Sequence, residues 1–251
     1  MYRLFITLWG LILFFSCASA QGDVDTLITK EWQPKYNLSL KNTVIPVVLI
    51  GYGFAGLYHP QLKDWNLDVR SEVLDHINRE YNADDYFQCA PQLAVYFIDD
   101  AGIKAKHNFK DRTIVLLTSY IMMTTTVRVL KNVTHVMRPD SSTYTSFPSG
   151  HTAMAFTGAE FLWQEYKDKS VWYGVAGYTV AASIGIARVI NNRHWINDVA
   201  SGAGIGILST KVAYIIHERV KHKIKIKREM DAMLIPYYNK DSWGVGLAVR
   251  F

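Results

Sequence analysis

Apolar residues recur along most of this chain at helical spacing, and the polar positions between them mark where helices end. Val44 to Tyr58 is apolar but carries Pro46, Gly51, Gly53 and Gly56, and it stops at Pro60. Leu67 to Tyr81 shows helical periodicity, with Asp68, Arg70, Glu72 and Arg79 on a solvated side. After Asp84-Asp85 the run Ala90 to Ile98 predicts a buried helix, and Thr113 to Leu130 predicts a strong one that delivers Lys131 at its end. Thr152 to Tyr166 is apolar on one side, interrupted by Glu160, Gln164 and Glu165. Val171 to Ile186 is almost wholly apolar and small. Val199 to Ile216 carries Gly202, Gly204 and Gly206, a spacing that lets helices approach closely. The tail Trp243 to Phe251 alternates instead, like an edge strand or a packed tail. The pattern predicts an all-α fold: a bundle of about six core helices with a short strand-like C-terminal tail.

The runs predict how the chain is divided. Residues 1–20 read as a secretory signal, with Arg3, the apolar stretch Leu4 to Phe15, and Ala18-Ser-Ala20 before Gln21. Residues 21–42 form an extended lead-in, 43–230 a helical domain and 231–251 a tail. Most apolar runs fall short of the roughly 20 residues that a membrane span requires. Val171 to Ile186 and Val199 to Ile216 come closest. The expectation is a periplasmic domain, soluble or resting on the membrane, with an integral membrane protein as the alternative.

Charge and cysteine content refine this picture without redirecting it. The formal charge is +5, and cleavage before Gln21 removes Arg3 and brings it to +4. That excess suits anionic substrates or a membrane surface, and no aromatic-interleaved basic stripe points to nucleic acid. Arg219, Lys221, Lys223, Lys225, Lys227 and Arg228 follow the last apolar run at once. They read as a solvated basic face, a contact for anionic headgroups, or a cytoplasmic anchor if that run spans. Cys17 leaves with the signal, so Cys89 remains alone and packing rather than a disulfide must hold the fold.

Three short motifs carry chemistry. Arg188, His194 and Asp198 lie in the order R-x5-H-x3-D. An arginine offers a planar fork of donors to phosphate oxygens, a histidine can attack phosphorus, and an aspartate four residues on can hold the imidazole in its nucleophilic tautomer. Lys131 and Arg138 form K-x6-R-P and add two cations. Pro148-Ser149-Gly150-His151 opens the helical pattern that follows. There the glycine lets a backbone N–H approach an anion, the helix N-terminus adds partial positive charge, and His151 can donate a proton.

In this order, the motifs resemble the type 2 phosphatidic acid phosphatase superfamily, which includes class A acid phosphatases and vanadium haloperoxidases. The resemblance implies a phosphomonoester or diphosphate hydrolase working through a phosphohistidine. Lys131, Arg138, Arg188, Ser149 and Gly150 would bind the phosphate, His194 would attack under the direction of Asp198, and His151 would protonate the leaving group. It implies no metal and no cofactor. Substrates range from lipid-linked phosphates, which the apolar helices favour, to small soluble phosphomonoesters, with vanadium-dependent halide oxidation as the other activity of the group. The family usually has serine before the third-motif arginine, where this chain has Ala187. Arg193 and His135 occupy variable positions, Trp195 reads as packing, and Pro139 and Pro148 read as loop-shaping.

Overall fold

The computed structural model describes residues 34, 36, 38–76, 83–229, 231–239 and 242–250, with side chains through 225. Eight helices lie among them: α1 (Leu40–Tyr58), α2 (Pro60–His76), α3 (Ala83–Phe87), α4 (Ala90–Asp100), α5 (Phe109–Thr134), α6 (Gly150–Tyr166), α7 (Val171–Ile190) and α8 (Ile196–Glu229). Two strands follow, β1 (Asp231–Asn239) and β2 (Ser242–Arg250), paired antiparallel from Asp231↔Arg250 to Asn239↔Ser242. The fold is all-α, as expected, and the alternating tail is one arm of a hairpin. The stretch read as an export signal lies outside the described residues.

α6 is the hub. It packs against α4, α5, α7 and α8, while α1 lies along α8. A helix enclosed on every side must be small where neighbours come close, and α6 supplies Ala153, Ala155, Gly158 and Ala159 there, all buried. Its far end enters the larger core cluster, where Phe161, Leu162 and Tyr166 meet Val95, Val115, Ala213 and Tyr214. Two glycines of α8 set the α6–α8 distance. A Cβ on Gly202 would stand 2.5 Å from the Ser149 carbonyl oxygen, and one on Gly206 would stand 2.3 Å from that of Ala153.

The structure corrects the expectation that most apolar runs are too short to span. Four helices are long and apolar enough to cross a membrane: Leu40–Tyr58, Phe109–Thr134, Val171–Ile190 and the segment Ile196–Lys225. The run in α5 carries several hydroxyl residues. Yet Thr118, Ser119 and Thr126 each donate to the carbonyl four residues back, at 2.8, 2.8 and 2.9 Å, and so remove their own polarity. α8 outruns its predicted end at Ile216 because lysines and arginines are good helix formers. Lys221 is also held by Asp111 at the start of α5. Large apolar side chains face outward on all four helices: Val44, Val47 and Val48 on α1, Leu117 and Ile121 on α5, Trp172 on α7, and Val220 and Ile224 on α8.

The helices alternate in direction. Asp111 at the start of α5 meets Lys221 and His217 late in α8, and the Tyr36 N–H donates to Glu218 at 2.9 Å. This end is basic. The ends of α5 and α7 and the starts of α6 and α8 therefore gather at the other end.

Candidate active site

Each motif is seated by local hydrogen bonding. Lys131 sits in the last turn of α5, which His135 closes in the left-handed conformation (φ 47°) with its N–H on the Lys131 carbonyl at 3.3 Å. The lysine ammonium turns towards the next loop, donating to the carbonyls of Thr145 and of Ser146, the latter at 3.4 Å. Within that loop Arg138 N–H donates to the Thr143 carbonyl (3.0 Å) and Ser146 N–H to that of Val136 (2.9 Å). The Phe147–Pro148 peptide that leads out of it is cis.

Ser149 caps α6. Its hydroxyl pairs with that of Thr152 at 2.9 Å, and its own N–H donates to the Asp198 carbonyl at 3.0 Å, joining the second motif to the third. Gly150 follows, and a Cβ there would meet nothing closer than Val127 at 3.9 Å. Packing within the protein therefore does not explain a glycine at this position. His151, in the first turn of α6, places Nε2 2.9 Å from Oδ1 of Asp85 on α3.

Arg188 ends α7 with a nearly buried side chain. Its carbonyl accepts from the N–H groups of Arg193 (3.0 Å) and His194 (3.2 Å), a tight closure that carries Asn192 through the left-handed region (φ 56°). Asp85 Oδ1, already on His151, also stands 3.6 Å from a terminal nitrogen of Arg188. The His194 ring is 2% exposed and Asp198 is fully buried, with Nδ1 and Oδ2 3.6 Å apart. That is an ion-pair distance longer than a hydrogen bond. Asp198 Oδ2 instead accepts from the Ser146 hydroxyl at 2.5 Å and the Trp195 N–H at 3.0 Å. Trp195 sends its indole N–H to the Met137 carbonyl at 2.9 Å, tying the first-motif loop to the third.

Electrostatics agree with this geometry. Burial is the largest influence on His194 and pushes its pKa down to about 4, helped by Lys131 and Arg188 and opposed by Asp198. The imidazole is therefore neutral at physiological pH. Burial, with Arg188 and Arg193 close by, also lowers the Arg138 guanidinium from its ordinary value, against the pull of Asp140 and Asp198. Among the buried polar atoms here without a hydrogen-bond partner in the described residues are Arg138 Nε, His194 Nδ1 and Asp198 Oδ1. Beside them a cavity of about 420 Å³ opens between Lys63 and Asn66 of α2, His135, Met137 and Trp195.

The bundle thus brings Lys131, Arg138, Ser149, Gly150, His151, Arg188, His194 and Asp198 to one end. Two residues that the motifs do not contain join them, Ser146 and Asp85. Ser146 carried no spacing signal, and Asp85 showed only as half of an acidic pair ahead of α4.

Residues 112–221 match the family model described as the PAP2 superfamily. Over 84 residues the chain is 50% identical to the lipid A 1-phosphatase of Porphyromonas gingivalis, a match covering 34% of this chain and 19% of that protein. The chain thus spans about a fifth of the length of the curated relative it matches. The solved structure of Aquifex aeolicus LpxE is 20% identical, covering 72% of this chain and 98% of that one with a TM-score of 0.40. The first transmembrane PAP2 type phosphatidylglycerolphosphate phosphatase from Bacillus subtilis is 19% identical, covering 72% and 97% with a TM-score of 0.43. The matched residues 112–221 hold all three motifs and every residue they nominate.

Proposed function

We propose that the protein is a metal-independent phosphatase that hydrolyses a lipid-linked phosphate ester through a phosphohistidine. The observation that carries this reading is a buried, neutral imidazole, that of His194, set beside Asp198 among the cations Lys131, Arg138 and Arg188. A neutral imidazole is the nucleophilic form. Nδ1 faces Asp198, so Nε2 attacks phosphorus in line, and positive charge developing on the ring draws the carboxylate across the remaining 3.6 Å. The three cations and the N–H of Gly150 hold the non-bridging oxygens as charge builds. His151 gives its proton to the departing alkoxide. Water then cleaves the phosphorus–nitrogen bond, with His151 taking up the water's proton.

Two features favour a lipid-linked substrate. The relative of Porphyromonas gingivalis is a lipid A 1-phosphatase, and four helices here are fit to span a membrane with apolar side chains facing outward. Because basic residues stay on the cytoplasmic side, the basic end of α8 faces the cytoplasm and the site faces away from it.

The test is phosphate release by the purified protein in detergent, from a lipid phosphate and from a small soluble phosphomonoester. The lipid is turned over faster. Quenching a radiolabelled reaction in alkaline denaturant, where a phosphorus–nitrogen bond survives, leaves label on the chain, and His194→Ala abolishes both label and turnover. Turnover by that variant would overturn the phosphohistidine mechanism, and a preference for the soluble ester would overturn the lipid assignment.

A further inference from the structure

We propose that Asp85 is an internal competitor for the substrate phosphate, a carboxylate that occupies the seat of a phosphate oxygen until substrate displaces it. This rests on the phosphatase reading above. A single oxygen, Oδ1, stands 2.9 Å from Nε2 of His151 and 3.6 Å from Arg188. One atom can meet both groups only where their donors converge. A proton donor to the leaving oxygen and a cation for its neighbours converge on the phosphate, so the carboxylate oxygen stands in for a phosphate oxygen.

The alternative role, orienting His151, fits this contact poorly. A positioning carboxylate takes the ring nitrogen turned away from the reaction, as Asp198 does with Nδ1 of His194. Asp85 takes Nε2 of His151 with the same oxygen that stands near Arg188.

Displacement is easy from where Asp85 sits. Its side chain is 56% exposed, on the five-residue helix α3, whose packing partners are α6 and α7. Water recovers a carboxylate in that position at small cost, whereas burying it would hold it fast. At rest the carboxylate supplies a counterion to the buried Arg188. After turnover its return helps inorganic phosphate to leave.

Asp85→Asn keeps the shape and removes the charge. With the full chain in detergent, orthovanadate serves as the probe of the empty phosphate site, read both as inhibition and as the rise in melting temperature it causes. Asp85→Asn lowers KM for the lipid phosphate and Ki for orthovanadate by about three- to tenfold, the scale of a half-exposed charged contact, without lowering kcat. Asp85→Glu keeps the competing charge and stays near the native Ki. A fall in kcat at unchanged KM in Asp85→Asn would show a positioning role, and unchanged constants would show that the contact does not compete; either result overturns the proposal. The melting shift needs no turnover. A larger orthovanadate shift in Asp85→Asn, with no phosphate released by native protein or variant, would leave the competition standing and sink the phosphatase reading.

Discussion

At the scale of single residues, the structure draws together side chains of types that do what few others can. Lysine, two arginines, two histidines and an aspartate at fixed spacings stood out in the sequence as candidates for phosphate chemistry. Residues that act through another residue give no such signal. Ser146 is an ordinary loop serine in the sequence, yet its hydroxyl holds the Asp198 oxygen nearest to His194, at 2.5 Å. Ser146→Ala removes a hydrogen bond to a buried carboxylate, worth about 1.5–3 kcal/mol. The expected outcome is a kcat lower by about tenfold or more with little change in KM, because the loss falls on orientation of the nucleophile rather than on the phosphate cage. Steady-state kinetics on a folded variant check it. The depressed pKa of His194 makes a second prediction. Protonation disables the nucleophile, so the fraction of active enzyme falls only as pH drops through about 4, below the 6.5 of an ordinary imidazole. The acid limb of kcat/KM therefore lies near pH 4, and a limb near 6.5 would show that the ring is solvated in the working enzyme.

At the scale of elements, periodicity predicted the helices well and their ends less well. The glycine spacing in α8 was read as permission for close approach, and the structure shows what approaches. Gly202 and Gly206 admit the carbonyls of Ser149 and Ala153, which seats the N-terminus of α6, and with it His151, against the third motif. Gly206→Ala puts a Cβ 2.3 Å from backbone that cannot swing aside. Overpacking of this kind costs about 1–3 kcal/mol, seen as a lower melting temperature in detergent. Gly202→Ala acts 2.5 Å from the residue whose N–H binds the Asp198 carbonyl, so it lowers kcat as well as stability. Gly51→Ala is the control, since a Cβ there meets nothing within 4 Å, and it leaves both unchanged. Strand β1 was not legible. Its run Leu234-Ile-Pro-Tyr-Tyr238 lacks clean alternation, and only its pairing with Trp243 to Arg250 reveals it.

At the scale of the whole molecule, the unread quantity was where apolar surface points. Sequence reading counts apolar runs, and serines and threonines that bond inside their own helix still leave it apolar enough to cross a membrane. What decides the matter is the outward face of α1, α5 and α7 together with the separation of two polar ends. From Asp198 to Lys221 along α8 is about 35 Å at 1.5 Å per residue, close to the ~30 Å of a hydrocarbon core. If the four long helices span, the site and the basic cluster fall on opposite faces of a bilayer. Retention of basic residues in the cytoplasm sends the site outward. Residue 39 then lies on the cytoplasmic face, opposite to where a cleaved export signal would leave it. Two exposed lysines mark the two faces, Lys63 beside the cavity at the site end and Lys223 at the basic end. In a Cys17→Ser, Cys89→Ser background, Lys63→Cys reacts with a membrane-impermeant maleimide on intact cells, while Lys223→Cys reacts only after permeabilisation. The reverse pattern would put the phosphate site in the cytoplasm. Labelling of both in intact cells would mean that the long helices lie against the membrane rather than through it, and the outward apolar residues would then need another partner.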